Sequence, residues 1–266
     1  MALIAMAIHD TPENGRDKLT ERTLESLMQT VDWSRHRFFA VVNSATDRTA
    51  DALFQFQKYI GTADSEVRFL DHNLGTALAI NIAWKSRRPG EHAIKMDNDV
   101  VIHRAGWVDD MEEAISRDPK IGIIGLKRKD CIQHPGHPNH FYGSSLHLIP
   151  EHPTPGQKWI VVEKTADVMG TCTMFNADLL ENIGYLYQPG LYGFDDVLAC
   201  VRSTCAGFYN CFLHGYEIDH IDPGGDTYSE WKRREAMTAS PEYHRLKAGY
   251  ESGEISYTYN ADGSQW

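Results

Sequence analysis

In Ala93-Ile-Lys-Met-Asp97-Asn98-Asp99 a short, mainly apolar run ends in two carboxylates two positions apart. A run of this kind reads as a strand buried inside a sheet. Acids at its carboxyl end fall where parallel α/β sheets gather their ligands. Two carboxylates so spaced can offer oxygen atoms to a hard divalent cation, Mg2+ or Mn2+, and leave room for phosphate oxygens. The same three residues are also good turn formers, so alone they specify a turn and no more.

Upstream, strand-like and helix-like segments alternate. Leu3–Ile8, Phe38–Val42 and Val67–Leu70 are apolar runs. Leu19–Thr30 carries a helical stripe at Leu19, Thr23, Leu27 and Val31, and Thr49–Tyr59 and Gly75–Trp84 also read as helices. Arg87-Arg-Pro-Gly90 breaks the chain before the decisive run. This alternation predicts the α/β class, a mixed but mainly parallel sheet flanked by helices. Asn43, Asn73 and Asp97 each follow a strand and so share one rim. Downstream, Gly122–Gly125 and Ile160–Val162 read as strands, and Leu179–Ile183 and Val197–Ala206 as helices. Residues 130–158 are rich in His, Pro and Gly and read as a loop. The tail from Ser240 shows little periodicity and reads as a segment wrapping the surface. Without repeats or a Gly/Ser linker, residues 1–266 are expected to form one domain.

Composition narrows the function. Lys plus Arg number 26 against 37 Asp plus Glu, a formal charge of −11. General attraction to nucleic acid or anionic lipid is not expected from such a chain, and a nucleic-acid acceptor is disfavoured. No apolar stretch approaches the roughly 18 residues of a membrane span. The opening Met1–Ile8 lacks a basic leader region and reads as a first strand. The five cysteines form no CxxC pair, so reduced thiols in a cytoplasmic compartment are expected. Neither Cys200, Cys205 and Cys211 nor His134, His137 and His140 has the spacing of a zinc site.

Several motifs follow one another in a telling order: Asp10-Thr11, Leu24-Glu-Ser-Leu27, Val41-Val-Asn-Ser-Ala-Thr-Asp-Arg-Thr49, Asn73-Leu-Gly-Thr-Ala-Leu-Ala-Ile-Asn81, Asp97-Asn-Asp99, Gly170-Thr-Cys-Thr-Met-Phe175, Ile183-Gly184 and Tyr192-Gly-Phe-Asp-Asp-Val197, with Arg202 and Gly207 behind. In that order and spacing the chain resembles the family-2 glycosyltransferases, enzymes of the GT-A fold, over most of residues 3–225. The resemblance implies transfer of a sugar from a nucleotide-diphosphate donor to an acceptor hydroxyl, with inversion. It makes residues 1–100 the nucleotide-sugar half, 101–225 the acceptor and catalytic half, and 226–266 a C-terminal extension. Thr11, Asn43, Asn73 and Gly75 then correspond to donor-binding positions, together with Asp97, and Gly170 and Thr171 lie near the sugar and acceptor. Asp97, Asp99 and the late His220 correspond to ligands of Mn2+ or Mg2+, with His214 as the alternative histidine.

Asp196 corresponds to the family's general base, the carboxylate that takes the acceptor proton. Its neighbour Asp195 belongs to the same catalytic pair and is also suited to cap the following helix. Tyr228-Ser-Glu-Trp-Lys-Arg-Arg234 reads either as a loop closing over a diphosphate, with Lys232 on the leaving group, or as a solvated helix start. The family often has Asp where this chain has Asn43, and its usual Glu-Asp reads Asp195-Asp196. Gln-x-x-Arg-Trp, the motif of processive synthases, is absent, which implies a single transfer per binding event. Two competing readings are a non-catalytic sugar-nucleotide or glycan-binding module and a nucleotidyltransferase. The second calls for a Gly-rich loop after the first strand, and Pro12-Glu-Asn-Gly15 is not one.

Overall fold

Successive residues of strand β1 (Ala2–His9) bury into opposite cores: Ile4, Met6 and Ile8 into one apolar cluster, Leu3 and Ala5 into another. A strand covered on both faces loses the apolar/polar alternation and becomes a continuous hydrophobic run, as this one is. The computed structural model describes residues 1–130, 146–149 and 158–265. The three histidines of the His134–His140 stretch lie outside the described residues, as does most of the expected loop around them.

From β1 the chain runs through α1 (Asp17–Thr30), β2 (Arg37–Ser44), α2 (Asp47–Ile60), β3 (Ser65–Phe69), α3 (Gly75–Trp84) and β4 (His92–Met96). The short β5 (Val100–Val101), α4 (Trp107–Arg117), β6 (Ile121–Arg128), β7 (Leu146–Ile149) and β8 (Ile160–Thr165) follow. Then come β9 (Cys172–Phe175), α5 (Ala177–Ile183), α6 (Asp195–Cys205), β10 (Tyr209–His220) and α7 (Thr227–Ser252). The strand order is β3-β2-β1-β4-β9-β6-β10-β8-β7, with β5 paired to the end of β10. The β1–β2, β2–β3, β1–β4 and β6–β10 pairs are parallel, and β9 runs antiparallel between β4 and β6. The mixed, mainly parallel sheet expected from the sequence is therefore present.

One core packs the sheet against α1, α2 and α4 through Leu24, Leu27, Leu53, Phe56, Trp107 and Met111. The other packs it against α3 and α5 through Ile80, Trp84, Leu179 and Leu180. Helix α2 begins at Asp47, two residues before the expected start, because Thr46 Oγ1 accepts from Thr49 N at 3.2 Å. The tail differs from expectation. Residues from Thr227 to Ser252 form one long helix, capped by Asp226 and passing through Pro241. Pro241 removes one backbone donor and crowds the preceding turn, yet the helix runs on through the tail expected to wrap the surface, where Leu246 and Tyr250 pack into an apolar cluster. Among the described residues no helix is long and apolar enough to cross a membrane.

Candidate active site

The carboxyl ends of β1, β2 and β4 open into a cleft of about 260 Å³, whose lining includes Asn43, Asn73, Gly75, Asp97, Asp99 and His220. Asn43, at the end of β2, spends its side chain on the neighbouring turn. Its Oδ1 accepts from Leu74 N at 2.9 Å, and its Nδ2 donates to Gly75 O at 3.4 Å. Asn73 Oδ1 accepts from Gly75 N at 2.8 Å. Gly75 has φ +77°, and a Cβ there would stand 2.9 Å from the Leu191 carbonyl oxygen, so only glycine fits. Thr11 is not in the lining; it closes a turn with Asn14, Oγ1 accepting from Asn14 N at 3.1 Å.

Beyond β4, Asp97 and Asp99 flank Asn98 on the cleft floor. His220 reaches them because the end of β10 pairs with β5 (His220 opposite Val100) and Ile221 N donates to Asp99 O at 2.8 Å. His220 Nε2 lies 3.4 Å from Asp99 Oδ2. Asp99, His220 and Asp222 bring ligand atoms within 4.8 Å of one another, and the buried Asp99 Oδ1 finds no hydrogen-bond partner among the described residues. Carboxylate oxygens beside an imidazole are a donor set suited to Mn2+. Asp97 stands apart from that trio, its Oδ1 3.4 Å from Lys95 Nζ. Burial lifts its carboxyl to about 6, with Asp99 and Asp195 adding to the rise and Lys95 and His220 opposing it. Titratable groups so perturbed cluster at functional sites. His214 is exposed on β10 and outside the lining.

The opposite wall is the start of α6. Asp196 Oδ2 accepts from Gly170 N at 2.9 Å, and its Oδ1 accepts from Val197 N at 2.8 Å. Burial first, then the adjacent Asp195, raise its pKa against the pull of Lys95 and these two N–H groups. Asp195 does not cap the helix as expected. The N-cap is Phe194, which makes no side-chain cap bond, and Asp195 Oδ2 instead pairs with Lys95 Nζ at 3.0 Å. Gly170 and Thr171 line the cleft beside these acids, and Asp97 N donates to Thr171 O at 2.9 Å.

The third wall is the first turns of α7, so the Tyr228–Arg234 segment is a helix start, with Tyr228, Trp231 and Lys232 half-buried on its cleft side and Arg233 and Arg234 exposed. Tyr228, Trp231 and Lys232 line the cleft, the two rings stacked at 5.5 Å. Lys232 pairs with Asp222, which also takes Arg16 at 2.8 Å; Arg16 reaches Asp226 at 2.9 Å. Sequence reasoning missed Lys95, Arg16 and Asp222. Lys95 left a signal, a charge inside an otherwise apolar strand. Arg16 and Asp222 left none, because only the fold brings α1 beside the segment after β10.

The family model of glycosyl transferase family 2 matches residues 14–184, and the chain belongs to that family. A search of the curated proteins finds no match. Among solved structures, S. aureus TarS 1–349 superposes with a TM-score of 0.60 at 17% identity, covering 94% of this chain and 65% of that one. The mannosyltransferase PcManGT from Pyrobaculum calidifontis, in complex with GDP-Man and Mn2+, gives 0.63 at 16% identity, covering 92% and 64%. GalNAc-T7 with UDP, GalNAc and Mn2+ gives 0.61 at 12% identity, covering 83% and 44%. The fold is therefore GT-A. The chain spans less than two thirds of the length of each of these three structures.

Proposed function

We propose that the protein is a metal-dependent glycosyltransferase that moves a sugar from a nucleotide-diphosphate donor to an acceptor hydroxyl, with inversion and one transfer per binding event. The observation that carries this reading is one cleft holding Asp97, Asp99 and His220 on one wall and Asp195 and Asp196 on the other. Structural neighbours bound to GDP-Man, or to UDP with GalNAc, each with Mn2+, support the donor class and the cation.

Asn43, Asn73 and Gly75 would take the nucleotide end of the donor, with Asp97 toward its phosphates. Asp99 and His220 would hold the cation, Asp222 close by, and a bound Mn2+ supplies charge that offsets what builds on the departing diphosphate. Lys232 adds a positive charge at the same side. Asp196 removes the acceptor's hydroxyl proton while that oxygen attacks the anomeric carbon. The bond to the diphosphate breaks with its electron pair on the phosphate oxygen, and attack from the opposite face inverts the carbon. A raised pKa suits Asp196 to this role, because a better base holds the proton more firmly. The absence of Gln-x-x-Arg-Trp supports the single-transfer reading. The free thiols of Cys172, Cys200, Cys205 and Cys211 support a reducing compartment, the cytoplasm.

The test is a thermal-shift screen of UDP- and GDP-sugars with and without Mn2+, since a ligand of the native state raises the melting temperature. We expect a shift that needs both partners, is absent in Asp99→Ala and is weakened in His220→Ala. No shift with any nucleotide sugar would overturn the reading.

A further inference from the structure

Lys95 occupies a place where a strand covered on both faces normally carries an apolar side chain, between the fully buried Ile94 and Met96. Its side chain is 6% exposed. Burying an ammonium is costly unless every proton is matched. Three oxygens surround it here: Gly170 O, to which it donates at 3.0 Å, and, as ion-pair partners, Asp195 Oδ2 at 3.0 Å and Asp97 Oδ1 at 3.4 Å. An ammonium has three donors, and these three oxygens engage it within the protein itself. The three oxygens come from three elements: the end of β4, the segment before β9, and the first turn of α6.

The same site extends the constraint to the base. Gly170 receives Lys95 on its carbonyl and gives its N–H to Asp196 Oδ2 at 2.9 Å. A Cβ on residue 170 would stand 2.5 Å from Lys95 Nζ and 3.0 Å from Asp196 Cβ. A bare glycine is what lets the ammonium and the carboxylate close around one peptide.

We propose that Lys95 is a positioning residue for transfer: it ties the wall bearing Asp97 to the wall bearing Asp195 and Asp196, and so sets the gap in which donor and acceptor react. Lys95 borders the cleft but acts through Asp195 and Gly170. The proposal rests on the glycosyltransferase reading above for its kinetic consequences, and on geometry alone for its structural ones.

Lys95→Met, Lys95→Arg and Gly170→Ala are compared with wild type by two readouts. In the first, steady-state transfer with a donor found by the screen, Lys95→Met lowers kcat by about 10²-fold, the scale of a 1 Å misplacement. The KM for donor stays unchanged, and Lys95→Arg recovers part of the rate by keeping the charge. In the second, the Gly170 amide, held by Asp196 in wild type, exchanges faster with solvent in Lys95→Met while amides of β1 and β2 do not. Wild-type kcat in Lys95→Met, or a loss confined to KM, overturns the proposal. Should Lys95→Met not fold, Gly170→Ala displaces the ammonium without removing it and should show the same loss confined to kcat; wild-type turnover there overturns the proposal equally. If wild type binds no nucleotide sugar, the functional reading falls, and the exchange experiment still decides: a Gly170 amide unaffected by Lys95→Met overturns the tie, and a faster one supports it.

Discussion

Asn98 Nδ2 donates to Asp10 Oδ1 at 2.9 Å, which fastens the middle of the Asp97-Asn98-Asp99 turn to the buried residue that follows β1. Asn98 also donates to Thr20 Oγ1 at 2.7 Å, while Asp10 Oδ2 accepts from Thr20 at 2.6 Å and Thr49 at 2.8 Å. Strands β1 and β4, helix α1 and helix α2 thus meet at one carboxylate. With Asn98 held from below, the acids on either side are presented to the cleft.

Asn98→Ala should therefore weaken Mn2+ binding without removing any proposed ligand. Outer partners of metal ligands are typically worth 10- to 100-fold in affinity, and a loss of about that size is expected. Calorimetric Mn2+ titration of the variant and wild type is the measurement. Equal affinities would mean the turn keeps its shape without the tie.

Asp196→Asn should separate binding from turnover. The amide keeps the size of the carboxylate but cannot take a proton, so donor affinity should persist while kcat falls by about 10²–10⁴-fold. Asp195→Asn loosens the Lys95 pair and should lower both the melting temperature and kcat. Steady-state rates alongside calorimetric donor binding distinguish the two. Full activity in Asp196→Asn would move the base to Asp195.

His92 makes stability depend on pH. Its Nδ1 accepts from Ala177 N at 3.0 Å at the start of α5, so the folded state needs the neutral ring. Burial holds its pKa below the ordinary 6.5, although Glu112 and Asp178 pull the other way. The unfolded chain then binds the proton more readily than the folded one. Stability from this group is present above about pH 6.5 and is lost as pH falls below it. Urea denaturation at about pH 5 and pH 7.5 should show a larger acid loss in wild type than in His92→Gln, whose amide does not titrate. Parallel losses would clear His92 of the effect.

Arg202 holds the C-terminal segment through backbone oxygens. Its guanidinium is fully buried and donates to Tyr257 O at 2.7 Å, to Tyr185 O at 2.9 Å and to Ile183 O. Burial pulls its pKa down to about 10, with Tyr250 and Tyr259 opposing. Arg202→Met leaves the Tyr257 and Tyr185 carbonyls without this donor at about 1–3 kcal/mol each, while Ile183 O keeps Tyr259 N at 3.1 Å, so a loss of at least about 2 kcal/mol is expected in urea denaturation. A loss under about 1 kcal/mol would mean that water reaches those oxygens.

Sequence made the nucleotide half legible because its physics is local. Apolar runs and short turns announce β1 to β4 and α1 to α3, and Gly75–Trp84 coincides with its helix. The acid turn, Asp195-Asp196 and His220 were visible as chemistry before any contact was known. What escaped depends on long-range contacts. Arg16 meets Asp222 and Asp226 only because β10 runs beside β6 and delivers its end to the cleft. The long α7 escaped because its apolar positions answer Leu198 and Tyr259 rather than a regular stripe. Asp195 was misread as a cap because its partner, Lys95, arrives from another strand.

Phe194 is the only non-glycine among the described residues with a left-handed backbone, φ +67°, directly before the acid pair. That conformation costs of order 1–3 kcal/mol and persists only when its surroundings enforce it. Its ring is stacked on Tyr243 of α7 at 4.5 Å, and Gly193 abuts Ala236 of the same helix. During synthesis, a chain that has emerged only through α6 would own both carboxylates and their partners Lys95 and Gly170, but would lack the ring that holds Phe194 in place. Competence for chemistry would come with the docking of α7, after the floor of the cleft has already formed.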